Sequence, residues 1–258
     1  MANSNESNSL VIANFIKMKT KDWFTDWFNT PYYHTLYKER NDNEAQLFMK
    51  NITSFLNLPK TTHILDLPCG KGRHSVFLNS LGYTVTGGDL AENSISAAKE
   101  FENDTLKFNV HDMRKPFHHT YDAIFNLFTS FGYFKDDKED ILILENIKNG
   151  LNKDGVFVFD FLNAEKVKLN LVKKETKTVD NITFHIEREI KDGFILKHIS
   201  FFADGKNHSY TEQVKDLDLI KMTTFLEKVG FTITSVFGNY NLDTFESKNS
   251  DRLIIIAK

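Results

Sequence analysis

Short apolar runs and amphipathic stretches follow one another along the chain from residue 61 to residue 163. Apolar runs bounded by turn residues predict buried strands, and apolar positions spaced three and four apart predict helices. The predicted strands are His63–Leu67, Thr84–Gly88, Leu106–Val110, Tyr121–Asn126 and Val156–Phe161. The predicted helices are Arg73–Leu81, Glu92–Phe101 and Asp136–Asn149. This alternation predicts an α/β fold in which helices cover both faces of a mostly parallel sheet.

Residues 164–215 break this alternation and predict a separate small sheet. Asp192-Gly193 and Asp204-Gly205 separate three strand-like runs, which are Ile182–Ile190, Phe194–Phe202 and Ser209–Val214. Asp-Gly between such runs is typical of a tight β-hairpin turn. We therefore expect a three-stranded antiparallel meander inserted into the larger fold, serving as a lid or as a dimer interface.

The remaining segments complete the predicted domain organisation. Residues 1–17 are polar and rich in Asn and Ser, and we expect them to be disordered. Residues 18–60 form an aromatic segment followed by an amphipathic helix at Asn43–Leu56, interpreted as part of a lid. Residues 61–163 form the core, and 216–258 return to it with a helix at Asp218–Val229 and a final strand pair. That pair is Phe231–Phe237 and Arg252–Ala257.

Composition narrows the function classes. With 258 residues, 41 % of them hydrophobic, the chain can bury a substantial core. Its one cysteine, Cys69, cannot form an intrachain disulfide, and we expect a reducing, cytoplasmic location. A net charge of -3 argues against a nucleic-acid-binding surface. No apolar run is long enough for a membrane span, and the first ten residues do not have the pattern of a signal peptide.

The most informative motif follows the first predicted strand. Its sequence is Asp66-Leu67-Pro68-Cys69-Gly70-Lys71-Gly72-Arg73, and the next helix begins there. Glycines at such a turn allow a ligand to approach the backbone closely, next to the N–H groups of the helix terminus. The acid at the strand end suits a cationic ligand and would repel a phosphate.

Polar residues also follow the next three strands. They are Asp89-Leu90 after the second, Asp112-Met113 after the third and Asn126-Leu127 after the fourth. An acid after the second strand can accept hydrogen bonds from both hydroxyls of a ribose. An acid after the third can accept from an adenine amino group, with the adjacent methionine against the ring. Because ligands of open α/β sheets bind at the carboxyl ends of the strands, these side chains predict one shared site.

In this ordered set of motifs the chain resembles the class I S-adenosylmethionine (SAM)-dependent methyltransferases. The resemblance spans about residues 61–161 and the closing strand pair. It implies a Rossmann-like seven-stranded sheet whose last strand is antiparallel, with SAM as cofactor and S-adenosylhomocysteine as product. It also implies in-line displacement at the sulfonium methyl group. The cofactor-binding residues that it implies are Asp66, Pro68, Gly70, Gly72, Asp89, Asp112, Asn126 and Leu127. Their neighbours Cys69, Arg73, Leu90 and Met113 are further candidates.

Two other functions compete with this interpretation. In a nicotinamide-dependent oxidoreductase a third glycine is expected where Ser75 stands, and Asp66 would face a pyrophosphate. A non-catalytic binding or scaffold protein with the SAM fold remains an alternative. A measurement of SAM binding alone would not distinguish it from an enzyme. We expect no metal site, because the His118-His119 pair lacks the companions of known ligand motifs.

The acceptor is expected to be a small molecule. The sequence Asn126-Leu127-Phe128-Thr129 lacks the two prolines found after the fourth strand in similar enzymes that methylate nucleic-acid bases. Aromatic rings suit a sulfonium or an amine, and a few polar groups can orient an acceptor. The acceptor-side candidates are Tyr33, His34, Tyr37, Phe128, Tyr133, Tyr210 and Glu212. The sequence leaves the oligomeric state open between monomer and homodimer.

Overall fold

The computed structural model describes residues 23–38 and 42–258, so the prediction for residues 1–17 lies outside the described residues. The helices are α1 Trp23–Trp27, α2 Pro31–Leu36, α3 Asp42–Phe55, α4 Arg73–Ser80, α5 Glu92–Ala98, α6 Asp137–Gly150, α7 Ala164–Leu169 and α8 Leu219–Lys228. The strands are β1 His63–Asp66, β2 Thr84–Asp89, β3 Leu106–Val110, β4 Tyr121–Asn126, β5 Leu151–Leu162, β6 Lys174–Val179, β7 Ile182–Lys191, β8 Phe194–Ala203, β9 Lys206–Lys215, β10 Ile233–Phe237 and β11 Arg252–Ala257. Within this part of the chain, no helix combines the length and the apolar character that crossing a bilayer requires.

Seven strands form the main sheet in the order β10-β11-β5-β4-β1-β2-β3. Strands β1 to β5 pair in parallel, and β11 is antiparallel to both of its neighbours. The predicted seven-stranded, mostly parallel sheet with an antiparallel last strand is thereby confirmed. The carboxyl ends of β1, β2 and β4 meet, because Asp66 pairs with Gly87 on one side and with Phe125 on the other.

Two apolar layers bury both faces of this sheet. Along β5, Phe157 and Phe159 pack on the face that α6 and α8 cover, while Val156 and Val158 pack on the face covered by α3, α4 and α5. Burial on both faces explains why these strands are continuous apolar runs in the sequence. The sheet is therefore a rigid support for the loops at its carboxyl edge.

The inserted sheet has four strands in the order β6-β7-β8-β9, so the prediction of three strands was wrong. Strand β6 has the sequence Lys-Glu-Thr-Lys-Thr-Val, which lacks the apolar alternation that marked its neighbours. Its turn to β7 is Asp180-Asn181, with both residues at positive φ. Both predicted Asp-Gly turns are present, again with positive φ at each residue, as a type I′ hairpin turn requires.

The aromatic segment of α1 and α2 packs against the inserted sheet. Trp27 and Leu36 are buried with Phe184, Ile199 and Phe201 in one apolar cluster. Trp27 and Leu36 come from the short helices, and the other three come from β7 and β8. Residues 23–38 and the inserted sheet therefore form one packed unit next to the main sheet.

Candidate active site

A cavity of about 610 Å³ lies at the carboxyl edge of the main sheet. Its volume is typical of pockets that bind small ligands. Its walls come from the glycine loop after β1, the loops after β2 and β4, the aromatic segment and the inserted sheet. The predicted site residues that line it are Tyr33, His34, Tyr37, Pro68, Cys69, Gly70, Arg73, Asp89, Leu127, Phe128, Tyr133 and Glu212.

The two glycines of the loop serve different needs. Gly70 lies at φ +56°, and a Cβ atom built on it would meet no atom within 4 Å, so its backbone faces open space at the cavity wall. Gly72 lies at φ +83° before the first residue of α4, where a Cβ would lie 2.7 Å from Cζ of Phe108. Gly70 therefore leaves room for a ligand, whereas Gly72 allows close packing of the loop on β3.

Asp89 at the end of β2 is fixed by backbone donors. The N–H of Gly70 donates to its Oδ2 at 2.8 Å, and the N–H of Ala91 donates to its Oδ1 at 2.8 Å. Burial raises the pKa of this carboxyl group, and the backbone hydrogen bonds oppose that rise. Each oxygen keeps a lone pair after these bonds, so the carboxylate can accept from two neighbouring hydroxyls.

Asp66 and Asn126 end adjacent strands with unsatisfied oxygens. Asp66 is fully buried, and the Ser75 hydroxyl donates to its Oδ2 at 2.6 Å. Its Oδ1 has no hydrogen-bond partner among the described residues, and neither has Oδ1 of the buried Asn126. Burial raises the pKa of Asp66 to about 7. Buried acceptors without partners are rare and costly, so this pair fits a cationic or hydrogen-donating ligand such as the amino-acid end of SAM.

Six of the twelve predicted cofactor residues do not line the cavity. Asp66, Gly72, Leu90, Asp112, Met113 and Asn126 are not among the lining residues. Asp112 accepts hydrogen bonds from Nε and Nη2 of Arg114 at 3.0 and 2.8 Å. Burial alone would raise the pKa of Asp112, but the Arg114 bonds outweigh it and the pKa lies below its ordinary value. The carboxylate predicted to face adenine is thus already engaged by a neighbouring cation.

Tyr210 does not line the cavity, unlike the six other acceptor-side candidates. Its ring packs at 4.5 Å from that of Trp27, inside the unit formed by the aromatic segment and the inserted sheet. Tyr210 and Glu212 lie two residues apart on the same face of β9. At Tyr210, however, Trp27 covers that face of the sheet. Its position supports the wall without forming it.

The loop after β4 is held in an unusual conformation. Phe128 and Thr129 have φ values of 58° and 65°. Asp160 of β5 accepts from the N–H of Phe128 at 2.9 Å and from Nε of Arg252 at 2.7 Å. The Phe128 ring stacks on His74 at 4.9 Å. Backbone strain of this kind persists where the surroundings fix it, and here it presents an aromatic ring to the cavity.

The sequence did not single out several residues that line the cavity. They include Arg188, Lys197 and Arg252. The inward orientation of Lys197 could have been predicted from the sequence, because it lies midway between Ile195 and Ile199 in a strand with alternating apolar residues. The position of Arg252 could not have been predicted, since its partner Asp160 is brought close only by the pairing of β11 with β5. Among the residues that the structure describes, no three His, Cys, Asp or Glu side chains cluster as a metal site requires.

Comparison with known proteins gives a consistent result. The family model described as a methyltransferase domain matches residues 58–216. A putative methyltransferase of Bacillus subtilis, YqeM, is 25 % identical over 213 residues, which cover 78 % of this chain and 86 % of YqeM. A glycine/sarcosine N-methyltransferase of Halorhodospira halochloris is 31 % identical over 114 residues, 41 % of this chain and 42 % of that protein.

The fold has also been seen in crystals. A SAM-dependent methyltransferase from Clostridium acetobutylicum superposes with a TM-score of 0.75 at 20 % sequence identity. The match covers 88 % of this chain and 95 % of that one.

Proposed function

Because the chain belongs to the class I SAM-dependent methyltransferases, we propose that it methylates a small-molecule acceptor in the outer half of the cavity. One observation carries this proposal. The same cavity is lined by Gly70 and Asp89 on the main-sheet side and by Tyr33, Tyr37 and Glu212 on the opposite side. A cofactor and an acceptor bound there would lie next to each other in one cavity, as group transfer requires.

The cofactor is assigned to the main-sheet side. Asp89 would accept from the ribose hydroxyls, and Gly70 would let the ligand approach the backbone. Asp66 and Asn126 would receive donors of the amino-acid end on their unpartnered oxygens. Asp112 and Met113 are proposed for the adenine, with Arg114 moving aside or sharing the carboxylate. Pro68, Cys69, Arg73 and Leu127 line the same part of the cavity.

The chain itself positions and shields the reactants. When bound, SAM supplies an electrophilic methyl group and leaves as S-adenosylhomocysteine. The aromatic side chains Phe28, Tyr33, Phe128 and Tyr133 line the cavity, where their rings favour a sulfonium cation and exclude water. A dedicated base is needed only for an acceptor that is protonated at the working pH.

Residues 23–38 and the inserted sheet are proposed to act as the lid over the acceptor. Glu212 of β9 accepts from Nε1 of Trp27 at 2.7 Å and from the Tyr37 hydroxyl at 2.6 Å. These bonds join the aromatic segment to the inserted sheet at the cavity wall. The alternative, a dimer interface on the inserted sheet, predicts a dimer in solution whose dissociation leaves acceptor affinity unchanged.

The small size of the acceptor rests on two supports. The cavity must hold the cofactor as well, which leaves space for a small acceptor. One relative is named for glycine and sarcosine, although it matches only 41 % of this chain. A cytoplasmic location is proposed from the single cysteine, Cys69, which is buried and unpaired.

A screen for S-adenosylhomocysteine release over small amines, carboxylates and phenols tests this function. We expect turnover with at least one acceptor. Tyr33→Ala should then raise the KM for that acceptor far more than the Kd for SAM, because Tyr33 lines the cavity on the side of the inserted sheet. Saturable SAM binding without product from any acceptor would favour the non-catalytic binding protein.

A further inference from the structure

The inner face of the inserted sheet carries one row of charged side chains between two rows of apolar and aromatic ones. Arg188 of β7 is directly opposite Lys197 of β8, and Lys197 is directly opposite Glu212 of β9. Because side chains on a strand alternate between faces, these three residues share the face that buries Ile186 and Ile199. The flanking rows are Ile186, Ile199 and Tyr210 on one side, and Ile190, Ile195 and Val214 on the other.

This charged row forms part of the cavity wall. Arg188, Lys197 and Glu212 all line the cavity, together with Ile195 and Val214 of the next row. Their side chains are only 22 %, 16 % and 17 % exposed, so solvent screens them weakly. A charged row in such a place costs desolvation free energy, which an apolar row would not.

Glu212 already has its partners. Its two oxygens accept from Trp27 Nε1 and from the Tyr37 hydroxyl, as described above, and Lys197 Nζ lies 3.6 Å from Oε2. Lys197 Nζ also donates to the Tyr37 hydroxyl at 2.6 Å. Glu212 therefore acts as an internal counter-charge that holds the aromatic segment and Lys197 in place.

The two cations keep donors for a ligand. Arg188 donates from Nη2 to Glu175 at 2.9 Å and from Nη1 to the carbonyl of Val172 at 3.2 Å. These bonds use two of its five N–H groups, and the bond to Tyr37 uses one of the three on Lys197. Two like charges directly opposite each other on neighbouring strands destabilise a sheet. Glu175, 2.9 Å from Nη2 of Arg188, and Glu212, 3.6 Å from Nζ of Lys197, already balance part of that repulsion, and an anion between the two cations would balance the rest.

We propose that the methyl acceptor carries an anionic group, a carboxylate or a phosphate, which binds to Arg188 and Lys197. This inference rests on the proposed function and specifies the substrate class of the same cavity. The guanidinium fork of Arg188 matches the two oxygens of such a group, and the Lys197 ammonium adds a second charge from the neighbouring strand. The anionic end is held by the inserted sheet, so the rest of the acceptor extends toward the cofactor side.

Both tryptophans of the chain report on this part of the cavity. Trp23 lines it, and Trp27 is bonded to Glu212. Intrinsic tryptophan fluorescence therefore follows ligand binding there in the full-length protein saturated with S-adenosylhomocysteine. The anionic probes are acetate, benzoate and phenyl phosphate. Acetamide is the neutral analogue of acetate, and benzamide is the neutral analogue of the two aromatic anions. Benzylamine is the cationic comparison.

We expect at least one of the three anions to bind at least tenfold more tightly than its neutral analogue. Arg188→Gln should raise the Kd of that anion by about 10- to 100-fold, the scale of a hydrogen-bonded charge. Arg188→Lys should recover part of the loss, and Lys197→Gln should match Arg188→Gln if its thermal unfolding is normal. Lys174→Gln is the matched control, because it removes the same charge from the outer face of the same sheet, where Lys174 pairs with Glu187.

The proposal is overturned if no anion binds better than its neutral analogue, if benzylamine alone binds, or if Arg188→Gln binds anions like the wild type. A higher affinity for phenyl phosphate than for benzoate identifies the group as a phosphate, and the reverse order identifies a carboxylate. Calorimetry with SAM is run in parallel. If SAM does not bind but the anion still binds in protein without S-adenosylhomocysteine, the proposed function is contradicted and the anion site stands.

Discussion

The backbone N–H of Gly70 donates a hydrogen bond to Oδ2 of Asp89 at 2.8 Å. This bond ties the glycine loop after β1 to the carboxyl end of β2. The second oxygen of Asp89 accepts from Ala91, so the carboxylate is oriented by two backbone donors before any ligand binds. Preorganisation of this kind lowers the entropic cost of binding.

Replacing Asp89 is expected to weaken SAM binding strongly. Asp89→Ala removes the proposed ribose acceptor and should cost about 1.5–3 kcal/mol of binding free energy, the scale of hydrogen bonds to a charged group. Isothermal titration calorimetry with SAM measures it. Asp104→Ala removes an exposed acid near β3 and serves as the control, with unchanged affinity expected. A folded Asp89→Ala protein with wild-type affinity would exclude Asp89 from the site.

Alanine at the two loop glycines should separate binding from stability. Gly70→Ala forces alanine into the left-handed region, at about 1–2 kcal/mol, and places its Cβ in the open space proposed for the ligand. Gly72→Ala adds overlap with the Phe108 ring and should cost about 2–4 kcal/mol of unfolding free energy. Urea denaturation and SAM calorimetry on both variants measure the two effects. If both variants lose SAM affinity in the same proportion to their loss of unfolding free energy, the two glycines do not have these separate roles.

Asp66 should make the protein less stable as the pH rises. Its folded pKa is raised from the ordinary 3.8 to about 7, with burial as the main cause. Between these values the unfolded chain has released the proton and the folded chain still holds it. The free energy of unfolding therefore falls as pH rises through this window and levels off above it.

Asp66→Asn is expected to remove that pH dependence. At pH 8 the variant should be more stable than the wild type by about 2–4 kcal/mol, and near pH 4 the difference should be small. Its affinity for SAM should fall, because a neutral amide cannot balance a cation. Denaturant unfolding at both pH values measures the first effect. A stability difference independent of pH would show that Asp66 is ionised in the folded protein.

The buried pair of Lys215 and Asp140 is expected to fasten the inserted sheet to the main sheet. Lys215 ends β9 and is 2 % exposed, and its ammonium donates to the fully buried Asp140 of α6. Its backbone N–H donates to the carbonyl of Gly132 at 2.8 Å. Lys215→Met would leave Asp140 buried without its cation and should cost about 3–5 kcal/mol.

Chemical denaturation of Lys215→Met tests this anchor. Burial already raises the pKa of Asp140 to about 6 in the presence of Lys215, so the loss should be smaller at pH 5, where Asp140 is protonated more readily. Adding Asp140→Asn should recover part of the stability. Lys221→Met is the control, because the ion pair of Lys221 is with the half-exposed Asp137, at 3.7 Å, and a change below about 1 kcal/mol is expected.

Local motifs explain why the main sheet and the cofactor side could be predicted. Strands buried on both faces leave continuous apolar runs, and Gly70 and Asp89 belong to motifs within a few residues of strand ends. Strand β6 escaped prediction because it is an edge strand with mainly polar residues. Helices α1 and α2, with five and six residues, are too short for a helical period to be recognised.

Long-range pairing explains what the sequence did not reveal in the cavity. Arg252 reaches the wall only because β11 lies antiparallel beside β5. The charged row of Arg188, Lys197 and Glu212 could be predicted only in part. The Asp192-Gly193 turn pairs Lys191 with Phe194, and counting back three residues on each side of that pair places Arg188 opposite Lys197. That the row faces a cavity follows only from the packing of the two sheets.

Transfer of an isotope-labelled methyl group is the decisive measurement for methylation of a small acceptor by this protein. The protein is incubated with SAM carrying a ¹³C-methyl group and with the acceptor found in the screen, and both products are measured by mass spectrometry. Methyl transfer from SAM to the acceptor predicts a labelled acceptor and S-adenosylhomocysteine in equal amounts, with both lost in Asp89→Ala at limiting SAM. S-adenosylhomocysteine formed without a labelled acceptor, or label transferred at the same rate by Asp89→Ala, would contradict it.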